Sequence, residues 1–277
     1  MTARRFSQVD VFAAAPYQGN PVAVVLDAEG LSPQQMQTFA RWMNLSETTF
    51  LLPPQDPTAD YRLRIFTPAA ELPFAGHPTL GSCHAWLQAG GVPRRADAIV
   101  QECGAGLVEV RRIDDRLAFA APQLVRYGPV EQPLLDHVLE VLRVDRAAVV
   151  DAHWVDNGPG WLAVLLDSAD SVLSARPGSI DLDVGVVGPY PAGSPEAFEV
   201  RAFFPVDGTT VEDPVTGSLN ASLAEWLTRT DRAALPYVAR QGTALGRLGR
   251  VHLSGDPDSG IWTGGNTITC IEGQVQL

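Results

Sequence analysis

The chain has 277 residues, 45% hydrophobic and 19% charged, with 32 acidic side chains against 20 basic ones and a formal net charge of −12. Every basic residue, from Arg4 to Arg250, is arginine; there is no lysine. No Schiff base on a lysine amine, no P-loop lysine and no kinase Lys–Glu pair is therefore possible, and so acidic a chain is not expected to bind nucleic acid.

In chain order, short apolar or alternating runs predict strands at Ser7–Phe12, Val22–Leu26, Thr48–Leu52, Arg62–Phe66, Leu107–Val110 and Leu117–Ala120, separated by Gly, Pro and Asp/Asn turns. Between the second and third, Ser32 is placed to cap a helix with Pro33 at its first position and Gln35 closing a capping box. Met36, Phe39, Ala40 and Met43 follow at helical spacing, and Asn44 suits the end. Further helices are predicted over Pro78–Gln88, Leu134–Leu142 and Pro214–Thr228, and Pro122–Val130, non-periodic and bracketed by Pro122 and Pro129, reads as a linker. Residues 1–121 then form an N-terminal half and 122–277 a C-terminal half, with the last strand able to return to the first. No apolar run approaches the roughly 20 residues of a membrane span. Three cysteines (Cys83, Cys103, Cys270) without a C-x-x-C fit a reducing compartment, so a cytoplasmic protein with no membrane partner is expected.

HPTLGSCHAWL (His77–Leu87) aligns with DPVTGSLNASL (Asp213–Leu223) at five positions with an offset of 136, and RIFTP (Arg64–Pro68) with RAFFP (Arg201–Pro205) at 137. The pattern predicts two similar halves, each a curved, barrel-like mixed sheet around one central helix, an α+β fold. In both copies a polar residue precedes a proline, which sets His77 and Asp213 at helix N-caps. Two such N-termini offer unpaired N–H groups to a small anion such as a carboxylate. Taken singly, Asp213 reads as a plain cap and His77 as a surface turn residue; the duplication favours the site. Glu47, opening the strand after the capped helix, is either a solvated strand-start carboxylate or, if partly buried, a proton shuttle.

GNPVAVVL, NLSETTF, FTPAAELPFAGHPTLG, EDPVTGS, QG and the terminal GG-x₆-EG resemble the PhzF-like family of phenazine biosynthesis, within the diaminopimelate epimerase-like superfamily, from Asp10 to Gly273. The resemblance implies paired barrel-like halves around central helices, a homodimer, no metal or organic cofactor, and a site between the halves. Carried over by motif, Glu47 is the principal acid/base. His77, Asp213 and Ser218 position the substrate and assist proton movement, and Gly76 and Gly217 give close backbone approach. The family isomerises trans-2,3-dihydro-3-hydroxyanthranilate by moving a ring proton from C3 to C1.

Epimerases of this superfamily carry a cysteine just before a glycine near each helix start. Here the first place holds Ala75 and the second falls between Val211 and Pro214, without cysteine. The expected activity is thus a cofactor-independent isomerase of a small carboxylate substrate, the alternative being an amino-acid or hydroxy-acid epimerase without thiols. His77 and His84 lack a third partner at metal-ligand spacing, and His84 reads as a packed, satisfied residue. Gly104–Gly106 does not make a dinucleotide loop, GDPDSG (Gly255–Gly260) reads as a hairpin turn rather than a calcium loop, and neither Ser82 nor Ser218 sits in a nucleophile elbow.

Overall fold

In the computed structural model, which describes residues 2–256 and 260–277, the helix predicted after Ser32 forms as α1 (Pro33–Met43). Ser32 Oγ accepts from the Gln35 N–H, the Gln35 side chain accepts from the Ser32 N–H, and Asn44 ends the helix in the left-handed region at φ 54°. Met36, Phe39 and Ala40 are its buried face, packed with Phe6, Val25, Phe50 and Phe66.

The chain divides into two units, Met1–Ala120 with Gly264–Leu277, and Ala121–Thr263. The first contains β1 (Ala3–Val11), β2 (Asn20–Val25), α1, β3 (Glu47–Leu52), β4 (Tyr61–Phe66), β5 (Glu71–Leu72), α2 (Gly76–Gln88), β6 (Ile99–Cys103), β7 (Gly106–Ile113) and β8 (Arg116–Ala120). Next come β9 (Arg126–Pro129), α3 (Gln132–Leu142), β10 (Val149–Asp156), β11 (Leu162–Leu166), α4 (Ala169–Ser174), β12 (Val184–Pro189), β13 (Phe198–Val206) and β14 (Thr209–Asp213). The chain ends with α5 (Gly217–Arg229), β15 (Tyr237–Gln241), β16 (Gly249–Asp256), β17 (Gly260–Gly265) and β18 (Thr267–Gln276). The tip of the expected GDPDSG turn, residues 257–259, lies outside the described residues.

The fold is mixed α+β, and strand pairing follows one rule in both units. In the first, β1 runs antiparallel to β2, β2 parallel to β3 across α1, β3 antiparallel to β4, β4 antiparallel to β5 and parallel to β6 across α2. In the second, β10–β11 are antiparallel, β11–β12 parallel across α4, β12–β13 antiparallel, β13–β14 antiparallel and β13–β15 parallel across α5. The outer face of β1 is taken by β18, from Ala3↔Gln276 to Val11↔Thr267. The stretch expected as a linker contains β9, which pairs with β10 from Arg126↔Asp156 to Pro129↔His153. Its prolines and missing periodicity hide a strand whose partner lies beyond α3.

In the first unit α2 packs against β1, β2, β3, β4, β6, β8 and β18. Its first eight residues and Ala85 are buried, which explains why it lacks a polar stripe. Close packing demands small residues: a Cβ on Gly81 would sit 2.3 Å from Val22 Cγ1. The second unit is built on Leu135, Val138, Leu142, Leu162, Val164, Val172, Val184, Val186 and Phe203. Its α5 buries Leu219, Ala221, Leu223, Ala224, Trp226 and Leu227. Among the described residues no helix is long and apolar enough to cross a membrane.

Two expectations about helix starts are corrected. α2 begins at Gly76 with Ala75 as N-cap, so His77 is the second helical residue rather than the cap; Pro78 fits inside the first turn, where its missing N–H is not needed. α5 begins at Gly217 with Thr216 as N-cap, and Asp213 is the last residue of β14, paired with Ala202. The β13–β14 ladder keeps the backbone extended through Asp213, and the Thr216 N–H is taken by the Gln241 side chain, so the Asp-Pro start signal is overridden.

The register of the repeat changes accordingly. Phe66 pairs with Glu71 and Phe203 with Glu212, so the second hairpin is four residues longer. Beyond the hairpins the equivalent segments are Glu71-Leu-Pro-Phe-Ala-Gly76-His and Glu212-Asp-Pro-Val-Thr-Gly217-Ser. Each glutamate makes a two-pronged ion pair with the arginine across its hairpin, Arg64 with Glu71 and Arg201 with Glu212. The equivalent of His77 is therefore Ser218, and the 136-residue match of Gly81 with Gly217 is not the structural one.

Candidate active site

The residues singled out by the motifs fall into two clusters, one in each unit. In the first, β3 opens at Glu47 and lies parallel to β2, with Glu47 beside Val22. This register brings its carboxylate to the start of α2, where Glu47 Oε2 is 3.3 Å from His77 Nε2. Both side chains are largely withdrawn from water, at 15% and 6% exposure. Burial pushes the His77 imidazole down to about 3, against a hydrogen bond to the Pro21 main chain that works the other way. Proline has no N–H, so the ring nitrogen facing Pro21 must be the donor. In the neutral ring Nε2 then carries the lone pair, and it faces Glu47. Beneath this pair Ser82 donates to Thr49 Oγ1, Thr49 to the Ala23 carbonyl, and Gln101 to Thr79 Oγ1, fixing the first turns of α2 to its sheet. Gly76, directly before His77, is buried.

In the second unit Asp213, Thr216, Asn220 and Gln241 form a buried network, at 8%, 7%, 1% and 0% exposure. Thr216 donates its hydroxyl to Asp213 Oδ2 at 2.6 Å. Gln241 Nε2 donates to the Asp213 carbonyl and to Thr216 Oγ1, while its Oε1 accepts from the Thr216 N–H and from Asn220 Nδ2. Both amide protons and the carbonyl oxygen of Gln241 are thus engaged, which locks the approach from β14 into α5. Ser218 follows Gly217, and its Oγ accepts from Trp161 Nε1 at 3.0 Å while its carbonyl accepts from Asn157 Nδ2 at 3.0 Å.

Thr216, Gln241, Asn157, Trp161 and Pro21 do not stand out as site residues in the sequence. Gln241 belongs to the QG motif, where Gly242 takes φ +92°, and Asn157 and Trp161 flank the turn signals N-G and P-G. His84 is held between Thr267 Oγ1 and Thr269 Oγ1, at 2.8 and 3.0 Å, as a satisfied polar residue. The residue before the helix-start glycine is Ala75 in one unit and Thr216 in the other; the second position, expected between Val211 and Pro214, moves to Thr216 with the corrected register and still holds no thiol.

An α+β chain with parallel crossovers in each unit, and a carboxylate–imidazole pair at one helix start, has the marks of an enzyme that moves protons. Residues 9–273 match the phenazine biosynthesis-like family PhzC-PhzF, and the chain belongs to that family. It is 35% identical to antisense-enhancing sequence 1 of Schizosaccharomyces pombe over 99% of both chains. It is 34% identical to the trans-2,3-dihydro-3-hydroxyanthranilate isomerase of Pseudomonas aeruginosa, again over 99% of both. Among solved structures, a PhzF-family phenazine biosynthesis protein of Bacillus anthracis superposes over 100% of both chains with a TM-score of 0.83 at 21% identity, a likeness of fold. The chain is an isomerase of the PhzF type.

Proposed function

We propose that the protein is a cofactor-independent isomerase that moves a proton between carbons of a small carboxylate substrate of the trans-2,3-dihydro-3-hydroxyanthranilate class, with Glu47 as the acid/base. The observation that carries this is the withdrawn Glu47–His77 contact at 3.3 Å. Glu47 as carboxylate takes a proton from one carbon. The lone pair on His77 Nε2 then accepts a hydrogen bond from the protonated Glu47, holding the proton until it returns to a second carbon on the same face. General acid/base help of this kind is worth roughly 10²–10⁴ in rate. Within the second unit, Asp213 is fixed by Thr216 and Gln241 and assists proton movement, and the Gly217 N–H with the Ser218 hydroxyl offers donors to a carboxylate.

The shared strand order supports reading the chain as two pseudo-symmetric halves of the diaminopimelate epimerase-like type, each a curved sheet around one helix. We also read the protein as a homodimer, which light scattering at defined concentration tests.

The deciding experiment is turnover of trans-2,3-dihydro-3-hydroxyanthranilate in heavy water. The wild type is expected to produce the rearranged ketone, and Glu47→Gln to lose that activity while remaining folded. Full activity in Glu47→Gln would falsify the role of Glu47. Inversion of a stereocentre without movement of a double bond would instead establish an epimerase.

A further inference from the structure

Ser218 is gripped from one short loop that the proposed chemistry does not itself call for. The five residues Asn157–Trp161 connect β10 to β11. Asp156 Oδ1 accepts from the N–H groups of both Gly158 and Gly160, at 2.7 and 2.8 Å. Gly158 and Gly160 take φ of +136° and +100°, conformations that side-chain-bearing residues rarely adopt. The Val155 N–H closes the turn on the Trp161 carbonyl at 3.0 Å. The loop tip is exposed at Gly158 and Pro159, yet Trp161 is 4% exposed. The turn thus buries one indole and half-buries one amide, and both hydrogen-bond the same residue.

The direction of those bonds has a chemical consequence. An indole N–H only donates, so Ser218 Oγ is the acceptor at 3.0 Å from Trp161 Nε1 and its own proton must point elsewhere. A carbonyl only accepts, so Asn157 turns its NH₂ to the Ser218 main chain at 3.0 Å and holds the residue's backbone as well. Together they convert a hydroxyl free to rotate into an oriented donor, the form suited to a carboxylate oxygen.

We propose that Trp161 and Asn157 are positioning residues for carboxylate recognition, acting through Ser218. This rests on the reading of Ser218 as a carboxylate-binding hydroxyl. Orientation of a group that binds ground state and transition state alike is expected to appear in KM and in ligand affinity rather than in kcat.

The test is calorimetric titration of the full-length protein with anthranilate, a small aromatic carboxylate. Trp161→Phe keeps an aromatic ring and loses the N–H; Asn157→Leu keeps the approximate volume and loses the amide. Each is expected to weaken anthranilate about tenfold, as Ser218→Ala does, and Trp161→Phe is expected to add less than about twofold in the Ser218→Ala background. An equal loss from Trp161→Phe with and without Ser218, or anthranilate affinity unchanged in Trp161→Phe, overturns the proposal, as does failure of the wild type to bind anthranilate. In nitrogen-15 spectra the Trp161 indole N–H is expected to shift in Ser218→Ala; an unmoved resonance denies the hydrogen bond independently of ligand. If anthranilate binds with this pattern while trans-2,3-dihydro-3-hydroxyanthranilate is not turned over, the proposed substrate reading fails and the positioning role stands.

Discussion

His77 Nε2 lies 3.3 Å from Glu47 Oε2, and its imidazole, buried to 5% exposure, is neutral at any pH at which the protein is expected to work. Burial lowers it from the ordinary 6.5 to about 3. In nuclear magnetic resonance the His77 ring protons should show no inflection between about pH 5 and 8. An inflection in that range would mean that the pair is an imidazolium–carboxylate ion pair instead. The sign for stability follows: the unfolded chain binds the His77 proton more tightly than the folded one. This contribution is therefore present above the ordinary value and is lost as pH falls from 6.5 toward 3.

Gln241 supports a second prediction. Its side chain satisfies the Thr216 N–H, the Asp213 carbonyl, the Thr216 hydroxyl and the Asn220 amide at once. Gln241→Leu leaves several buried polar groups without partners and should lower stability in denaturant by about 2–4 kcal/mol. Gln241→Glu keeps the accepting oxygen and loses the two N–H donors, so it should impair turnover more than Gln241→Asn, which keeps an amide. Equal stability of wild type and Gln241→Leu would show that the network is relaxed by rearrangement.

The two equivalent arginine–glutamate pairs differ in burial and therefore in consequence. Arg201 and Glu212 are 5% and 12% exposed, and the same guanidinium also donates to the Val172 and Ala175 carbonyls at the end of α4. Arg64 and Glu71 are 18% and 42% exposed. Glu212→Gln should cost about 3–5 kcal/mol, because it strands a buried guanidinium; Glu71→Gln should cost no more than about 1 kcal/mol. Comparable losses in urea melts would refute the distinction.

Local features are legible in the amino-acid sequence, and the features that are not legible depend on distant partners. Ser32, Pro33, Gln35 and Asn44 define α1 within one short segment, so its bounds follow from that segment alone. Glu47 and His77 are legible as motif residues, but their approach follows from the parallel β2–β3 register, which the continuous apolar run of β2 does not reveal. The start of α5 is misleading because Asp213-Pro214 is a strong start signal in isolation, while Gln241, 25 residues beyond Thr216, and the pairing of Asp213 with Ala202 decide the matter. Trp161 sits at the head of an apolar run and looks like core. Its N–H partner is Ser218, 57 residues away, a distance over which composition and periodicity carry no signal. The repeat aligns at the wrong register for a related reason: four extra residues in the β13–β14 hairpin shift the helix against the strands, and residue identity favours a chance match within the helices.

The last prediction concerns Asp183, just before β12. Burial first, and the charge of Asp156 second, raise its carboxyl from 3.8 to about 6. A raised carboxyl binds its proton more tightly in the folded chain than in the unfolded one. Its stabilising contribution is therefore complete below about 3.8 and is lost as pH rises through about 6. Near neutrality the ionised Asp183 faces Asp156, the residue that holds the Gly158 and Gly160 N–H groups and shapes the loop carrying Asn157 and Trp161. Asp183→Asn removes that repulsion without changing the shape of the side chain. The variant should melt above the wild type at about pH 8, and the difference should shrink through pH 6 and disappear by about pH 4. A constant difference across that range would mean that the substitution acts through packing, and a lower melting temperature at pH 8 would mean that Asp183 is ionised in a favourable contact.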